Sequence, residues 1–287
     1  MGRVSRWTAP HAYTEAVFPT VLHPSPPPAL TSTWSSESRP HILAHRGGAA
    51  LAPENTIAAF DHAVALGADM LETDVQLTAD GVAVAFHDET LDRMTNLRGP
   101  IRSFTIDQLR KAEVYGPDGS LGWIPTITEL LDGYPGMRWA IDLKYGDSIV
   151  PLARSINETN SADRVCVAHS WDSWLDRVRE LTSPRLERSL GWQELATLIA
   201  CAKAGIAPPR ALSAGPWVHI GWRPGGITLM KSRRLSDRII SMSHELGMGV
   251  RVWTINEETQ MKRLLDQGVD GIFTDRPDVG LRLTRGA

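Results

Sequence analysis

From residue 41 onward, short apolar runs alternate with longer stretches in which apolar positions recur every three or four residues. The short runs are Ile42 to Ala44, Met70 to Val75, Val82 to His87, Arg138 to Lys144, Arg164 to Ala168, Leu186 to Leu190, Val218 to Ile220, Val250 to Ile255 and Gly271 to Thr274. Their length and two-residue alternation predict strands. Between the late runs, Leu235, Ile239, Met242 and Leu246 make one apolar helical face, and Met261, Leu264 and Leu265 make another, with Gly247 and Gly268 as stops. A helix after the first run is bracketed by Thr56 as a cap and Gly67 as a terminator. Strands and helices alternating in this way predict an α/β fold, a (β/α)8 TIM-type barrel. Nine runs compete for eight staves, so one of them lies outside the barrel.

The second β/α unit breaks the rhythm. Asp74 and His87 stand thirteen positions apart, too close to enclose a crossover helix, which takes a dozen or more residues by itself. If both belong to the same barrel end, the chain descends and returns in extended form, turning at Asp80-Gly81, and that unit lacks its helix. The stretch from Asp88 to Trp123 is too long for a simple loop and has room for a short helix from Thr105 to Ala112. It is expected to form a small cap insertion (88–123) over the mouth. Residues 1–40 carry Pro24-Ser25-Pro26-Pro27-Pro28 and a Ser/Thr-rich run, which resist helix and strand alike and predict a tail or wrapping arm. The barrel proper then spans 41–287.

Composition narrows the partners. The 287 residues contain 30 Lys plus Arg against 33 Asp plus Glu, a net charge of −3, so no basic stripe recommends nucleic acid. Any acidic substrate must be met locally. No apolar run approaches the roughly 18 residues of an integral membrane segment, and no signal-peptide core opens the chain, so a cytoplasmic location is expected. Cys166 and Cys201 have neither CxxC nor zinc-site spacing and read as reduced core thiols. An oligomeric state does not follow from any of this.

The apolar strands end repeatedly in charge. Alternation places Glu72 and Asp74 on one face of their strand and Asp142 with Lys144 on one face of another, while His45, Arg46 and His87 close two further runs. Three carboxylates without a cysteine suit a hard divalent cation, Mg²⁺ or Ca²⁺, held through oxygen. Two histidines beside it can act as acid and base, and Arg46 and Lys144 can neutralise an oxyanion. Taken singly each has a plainer reading: Glu-x-Asp is common on strands, and Asp142 with Lys144 can be a surface pair. Repetition at successive strand ends favours the functional one, because unpaired charge is costly to bury.

The ordered set His45-Arg46-Gly47, Glu54-Asn55-Thr56, Glu72-x-Asp74, Thr78-Ala79-Asp80-Gly81, His87-Asp88, Asp142-x-Lys144, Val252-Trp253-Thr254-Ile255-Asn256 and Gly271-Ile272-Phe273-Thr274-Asp275 resembles the glycerophosphodiester phosphodiesterase family, of the phospholipase C-like barrel superfamily. The resemblance covers nearly everything after residue 41. It implies one divalent cation on Glu72, Asp74 and Asp142, His45 and His87 as acid and base, and Arg46 and Lys144 as phosphate clamps. Glu54 and Asn55 would support them, and Trp253 would form an apolar wall. Asp142 departs from the pattern, since the family usually has glutamate there. The implied substrate is a small glycerophosphodiester, hydrolysed through a cyclic phosphate to sn-glycerol 3-phosphate and an alcohol.

Three alternatives remain at this stage. A lysophospholipase D-like or sphingomyelinase D-like enzyme would share the constellation and need an apolar track, to which Trp123, Trp171, Trp174 and Trp192 can contribute. A non-catalytic metal- or phosphate-binding barrel would be expected to have lost a histidine or a ligand. A metal-dependent sugar isomerase would need a fourth strand-end acid, which this reading does not find. His169 and His219 stay unassigned.

Overall fold

The structure is a computed structural model that describes residues 40–209, 212, 217–221, 230 and 232–286. The stretch read as a tail or wrapping arm lies, up to residue 39, outside the described residues. Eight parallel staves, β1 (His41–Ala44), β2 (Met70–Leu77), β6 (Arg138–Leu143), β7 (Val165–Ala168), β8 (Glu187–Arg188), β9 (Trp217–Gly221), β10 (Gly249–Trp253) and β11 (Gly271–Thr274), follow the order β8-β7-β6-β2-β1-β11-β10-β9. The Ser189–Trp217 bridge and the bond from Leu190 N to Trp217 O, 2.9 Å, bring the two ends together. The ring is therefore nearly closed, which removes the exposed strand edges of an open sheet.

Alternation along each stave sorts its side chains between two cores. Ile42, Val218, Ile220, Val250, Val252 and Ile272 face outward and pack with residues of α7 (Arg233–Glu245), α8 (Glu258–Asp266) and α9 (Pro277–Arg285). Leu43, Met70, Ala140, Cys166, Trp217 and Phe273 fill the interior. The predicted helix signals act as expected: Thr56 Oγ1 accepts from Ala59 N at the start of α1 (Ile57–Leu66), and Gly67 ends it with φ 85°. Among the described residues no helix is long and apolar enough to cross a membrane.

The second unit is irregular, and the chain does go out and return in extended form around Asp80-Gly81, but beyond the rim of the barrel. β2 runs on past Asp74, and the chain turns back through β3 (Ala83–Ala85), antiparallel to it with Val75 opposite Ala85. His87 is thus approached from beyond the rim, without a descent through the barrel. β3 is the run that is not a stave. The unit also keeps a helix: α3 (Ile127–Gly133) follows the insertion and leads into β6, with Thr126 and Glu129 forming a capping box. The Thr105–Ala112 helix shrinks to α2 (Ile106–Leu109), and the Leu186–Leu190 strand to the two residues of β8.

The insertion has a small core of its own, in which Leu91, Ile101, Leu109 and Val114 pack on Val84 and Phe86. It also carries a two-stranded ribbon, β4 (Val114–Tyr115) with β5 (Leu121–Gly122). The remaining helices, α4 (Ile149–Glu158), α5 (Asp172–Leu181) and α6 (Trp192–Ala204), cover the outer faces of the middle staves.

Candidate active site

A cavity of about 610 Å³ opens at the C-terminal ends of the staves, the end where barrels of this type place their sites. His45, Arg46, Glu72, Asp74, His87, Asp142, Lys144 and Trp253 all line it, as do the unassigned His169 and His219. Glu54 and Asn55 stand behind this lining. The lining includes none of residues 88–123; the insertion meets the site through Asp88 and Arg93, which bond to His87 and Glu54. Of the four tryptophans proposed for an apolar track, Trp192 alone is among the lining residues.

The turn after β1 is shaped by its glycines. Arg46 adopts φ 52°, and Gly47 and Gly48 follow at 81° and 92°; a Cβ on Gly47 would stand 2.6 Å from the Ala59 Cβ. Only glycine meets both the left-handed backbone and the close approach of α1. The turn directs Arg46 N to Glu72 Oε2, 2.8 Å. The Arg46 guanidinium donates to Glu54 Oε1 at 3.0 Å and lies 3.3 Å from Asp74 Oδ2. Glu54 also accepts from Arg93, at 2.7 and 3.1 Å. Asn55 donates to Asp74 Oδ2 at 3.1 Å and accepts from Thr73 Oγ1 at 2.8 Å.

Both histidines are held from behind. His45 Nδ1 pairs with Asp275 Oδ1 at 2.6 Å, and Asp275 is fixed in turn by Asn256 Nδ2 at 2.6 Å. His87 Nδ1 pairs with Asp88 Oδ1 at 2.7 Å, while Arg93 Nε donates to Asp88 Oδ2 at 2.6 Å. Gln76, buried on β2, donates to the carbonyls of His87 and Asp88 and sets the height of that backbone. With Nδ1 committed to a carboxylate, Nε2 is the nitrogen left for chemistry. The His45 Nε2 lies 4.0 Å from Glu72 Oε2.

Electrostatics separates the carboxylates. Burial pushes Glu72 up to about 7, with the neighbouring Asp74 adding to it against the opposing pull of His45 and Arg46. Asp74 is just as deep, but Lys144 and Arg46 outweigh its burial and bring it down to about 2. Burial works against protonation of His45, yet Glu72 and Asp275 raise it overall. Lys144 Nζ sits between Asp74 Oδ1 and Asp142 Oδ2, 2.7 Å from each, and these charges raise it despite burial.

The residues suit a divalent cation in donor chemistry. Glu72, Asp74 and Asp142 offer only carboxylate oxygens, and the raised Glu72 behaves as a buried acid short of positive charge. As the side chains stand, no three of His, Cys, Asp or Glu among the described residues converge into a metal-holding group. Lys144 occupies the space between two of the three carboxylates.

Three residues have roles here that the sequence did not assign, although Asp88 and Asp275 stand in its motifs. Asp88 and Arg93 brace His87 and Glu54, and Asp275 is a fourth strand-end acid, set just past β11 beside His45. Asp275 had the signal used for the others, an apolar run ending in charge. The role of Arg93 had no signal, since its partner Glu54 is remote in sequence.

A parallel barrel with carboxylates, two carboxylate-oriented histidines and two cationic side chains at its C-terminal rim has the parts of a barrel enzyme that acts on an anionic substrate. Comparison with known proteins gives that class a family: residues 45–279 match the model of the glycerophosphoryl diester phosphodiesterase family. The chain belongs to that family. It is 32% identical over 255 residues to a glycerophosphodiester phosphodiesterase of Caldanaerobacter subterraneus subsp. tengcongensis, covering 85% of this chain and 97% of the relative. A glycerophosphodiester phosphodiesterase crystal structure from Agrobacterium tumefaciens superposes with a TM-score of 0.67 at 25% identity, over 84% of this chain and 99% of the other. An Oleispira antarctica phosphodiesterase, solved with the product sn-glycerol-3-phosphate, has the same fold, with a TM-score of 0.65 at 24% identity over 85% and 96% of the two chains.

Proposed function

We propose that this chain hydrolyses glycerophosphodiesters to sn-glycerol 3-phosphate and an alcohol, with His45 and His87 as the acid–base pair. The single observation that carries the reading is the pair of histidines, each oriented through Nδ1 by its own carboxylate, at the rim of one cavity. Family membership and the Oleispira antarctica product complex support the substrate class.

One histidine Nε2 takes the proton from the glycerol hydroxyl next to the phosphodiester. That oxygen attacks phosphorus, the bond from phosphorus to the alcohol oxygen breaks, and the second histidine gives the departing oxygen its proton. Water then opens the five-membered cyclic phosphate with the two roles exchanged. Arg46 and Lys144 supply positive charge to the phosphoryl oxygens; doing so requires them to exchange part of their pairing with Asp74, Glu54 and Asp142 for the substrate. Glu72, Asp74 and Asp142 would hold one Mg²⁺ or Ca²⁺, which when bound supplies Lewis-acid charge at the phosphodiester. Asp88 and Asp275 keep each imidazole in one tautomer and one orientation.

The test is release of alcohol and sn-glycerol 3-phosphate from a panel of glycerophosphodiesters and lysolipids, with and without chelator. Turnover of the diesters that chelation abolishes is expected. Turnover confined to lysolipids would transfer the chain to lipid cleavage, and none at all would make it a binding barrel.

A further inference from the structure

The circular strand order divides the cavity into two unlike walls. β1, β2 and β6 carry the carboxylates and cations described above. Directly across the ring, four strands from β2 in either direction, stands β9. Its inner face carries Trp217 in the packed interior, then His219, then Gly221 nearest the rim. A Cβ on Gly221 would come within 3.3 Å of the Trp253 ring, so the missing side chain lets that ring pack close to the β9 backbone. Leu190, Leu195 and Trp192 complete this side.

His219 is the chemical exception on that wall. It is only 9% exposed, it lines the cavity, and its Nε2 has no hydrogen-bond partner among the described residues. His169, the other histidine there, accepts from Trp171 N at 2.9 Å and stacks on Trp174. Around His219 lie the edge of Phe273, with centroids 5.0 Å apart, and its register partner Arg251 on β10. A buried polar atom without a partner is costly, and among the described residues the cavity that His219 lines is a space from which a ligand can reach it.

We propose that His219 determines specificity by hydrogen-bonding a hydroxyl group carried by the leaving alcohol of the diester. The assignment rests on the proposed activity. In the proposed mechanism the glycerol hydroxyl meets one histidine beside the carboxylates. The remainder of the leaving alcohol, beyond the oxygen that the other histidine protonates, is the part free to reach the opposite wall. Burial and the charge of Arg251 keep the imidazole well toward its neutral form. A neutral imidazole serves a hydroxyl as donor or acceptor, whereas the quaternary ammonium of a choline head group has no hydrogen to donate and no lone pair to accept. Polyol head groups are therefore favoured over choline.

The experiment compares kcat/KM of wild type, His219→Phe and His219→Gln on glycerophosphoglycerol, glycerophosphocholine and the ethyl diester, which has no hydroxyl on its leaving alcohol. His219→Phe is expected to lose roughly 3- to 10-fold on glycerophosphoglycerol, the worth of one neutral hydrogen bond, and nothing on the ethyl diester. His219→Gln, which places an amide near the same position, is expected to recover most of the loss. Equal loss on all three substrates, or loss on none, overturns the assignment while leaving the phosphodiesterase activity standing. Wild type inactive on every diester overturns the activity and this inference with it. Should His219→Phe fail to fold, as judged by its melting curve, His219→Leu replaces it with the same expectations.

Discussion

At the scale of single residues, the site works by pairing each reactive group with a neighbour that limits what it can do. Asp88 holds His87 and Asp275 holds His45, so each ring presents one nitrogen to the cavity. His87 is half-buried, and its removal leaves no packing void of consequence. His87→Ala is expected to reduce kcat by roughly 10²-fold or more with an unchanged melting temperature; near wild-type turnover would remove it from the mechanism. Asp142 poses a different question, because it is one methylene shorter than the glutamate usual in the family and already accepts from Lys144 at 2.7 Å. If Asp142 is a metal ligand, Asp142→Ala weakens Mg²⁺ and Ca²⁺ binding substantially and Asp142→Asn does so by less. Titration of both ions into all three proteins decides it: unmoved midpoints mean that Asp142 only pairs with Lys144.

At the scale of elements, three short devices set the geometry of the rim. The turn His45–Gly47 places Arg46 N on Glu72 and sends His45 toward Asp275, and it tolerates no side chain at Gly47. Gly47→Ala adds left-handed strain to a 2.6 Å clash with Ala59, a combination expected to cost about 2–4 kcal/mol of stability and to lower activity by displacing His45 and Arg46. Chemical denaturation alongside turnover measures both. A milder lesion is Thr56→Ala, which removes the cap of α1; about 1 kcal/mol is expected, with kcat little changed. A large loss of kcat there would mean that α1 positions Asn55 more tightly than its own hydrogen bonds do. The hairpin of β2 and β3 is the third device. It brings His87 down onto the Asp74 backbone, where Phe86 N donates to the Asp74 carbonyl at 3.1 Å.

At the scale of the whole molecule, charge buried in the barrel ties stability to pH. Glu187, at the start of β8, accepts from Trp217 Nε1 at 2.6 Å, and burial raises it from 4.5 to about 7 against the pull of Trp217 and Arg251. The folded state thus holds this proton more tightly than the unfolded one. Its contribution is full below about 4.5 and is lost as pH rises through about 7. Replacing it by Glu187→Gln is expected to flatten the decline of melting temperature across that window. An unaltered slope would place the titration elsewhere. The parts of this molecule written locally were legible from the chain alone. Apolar periods of two and of three to four residues marked the elements, Thr56 and Gly67 bounded α1, and charge at strand ends singled out seven residues, all of which line one cavity. Those signals survive because they act between near neighbours in sequence. What the chain left open depends on ring closure. It was the circular strand order that set Asp275 beside His45 across 230 positions and stood β9 with His219 opposite the carboxylates, while the insertion folding back put Arg93 on Glu54. It also drove Lys144 between Asp74 and Asp142. Side-chain period places a residue on a face, but which charge it then meets is decided by the strand that becomes its neighbour, and that follows from packing the whole barrel.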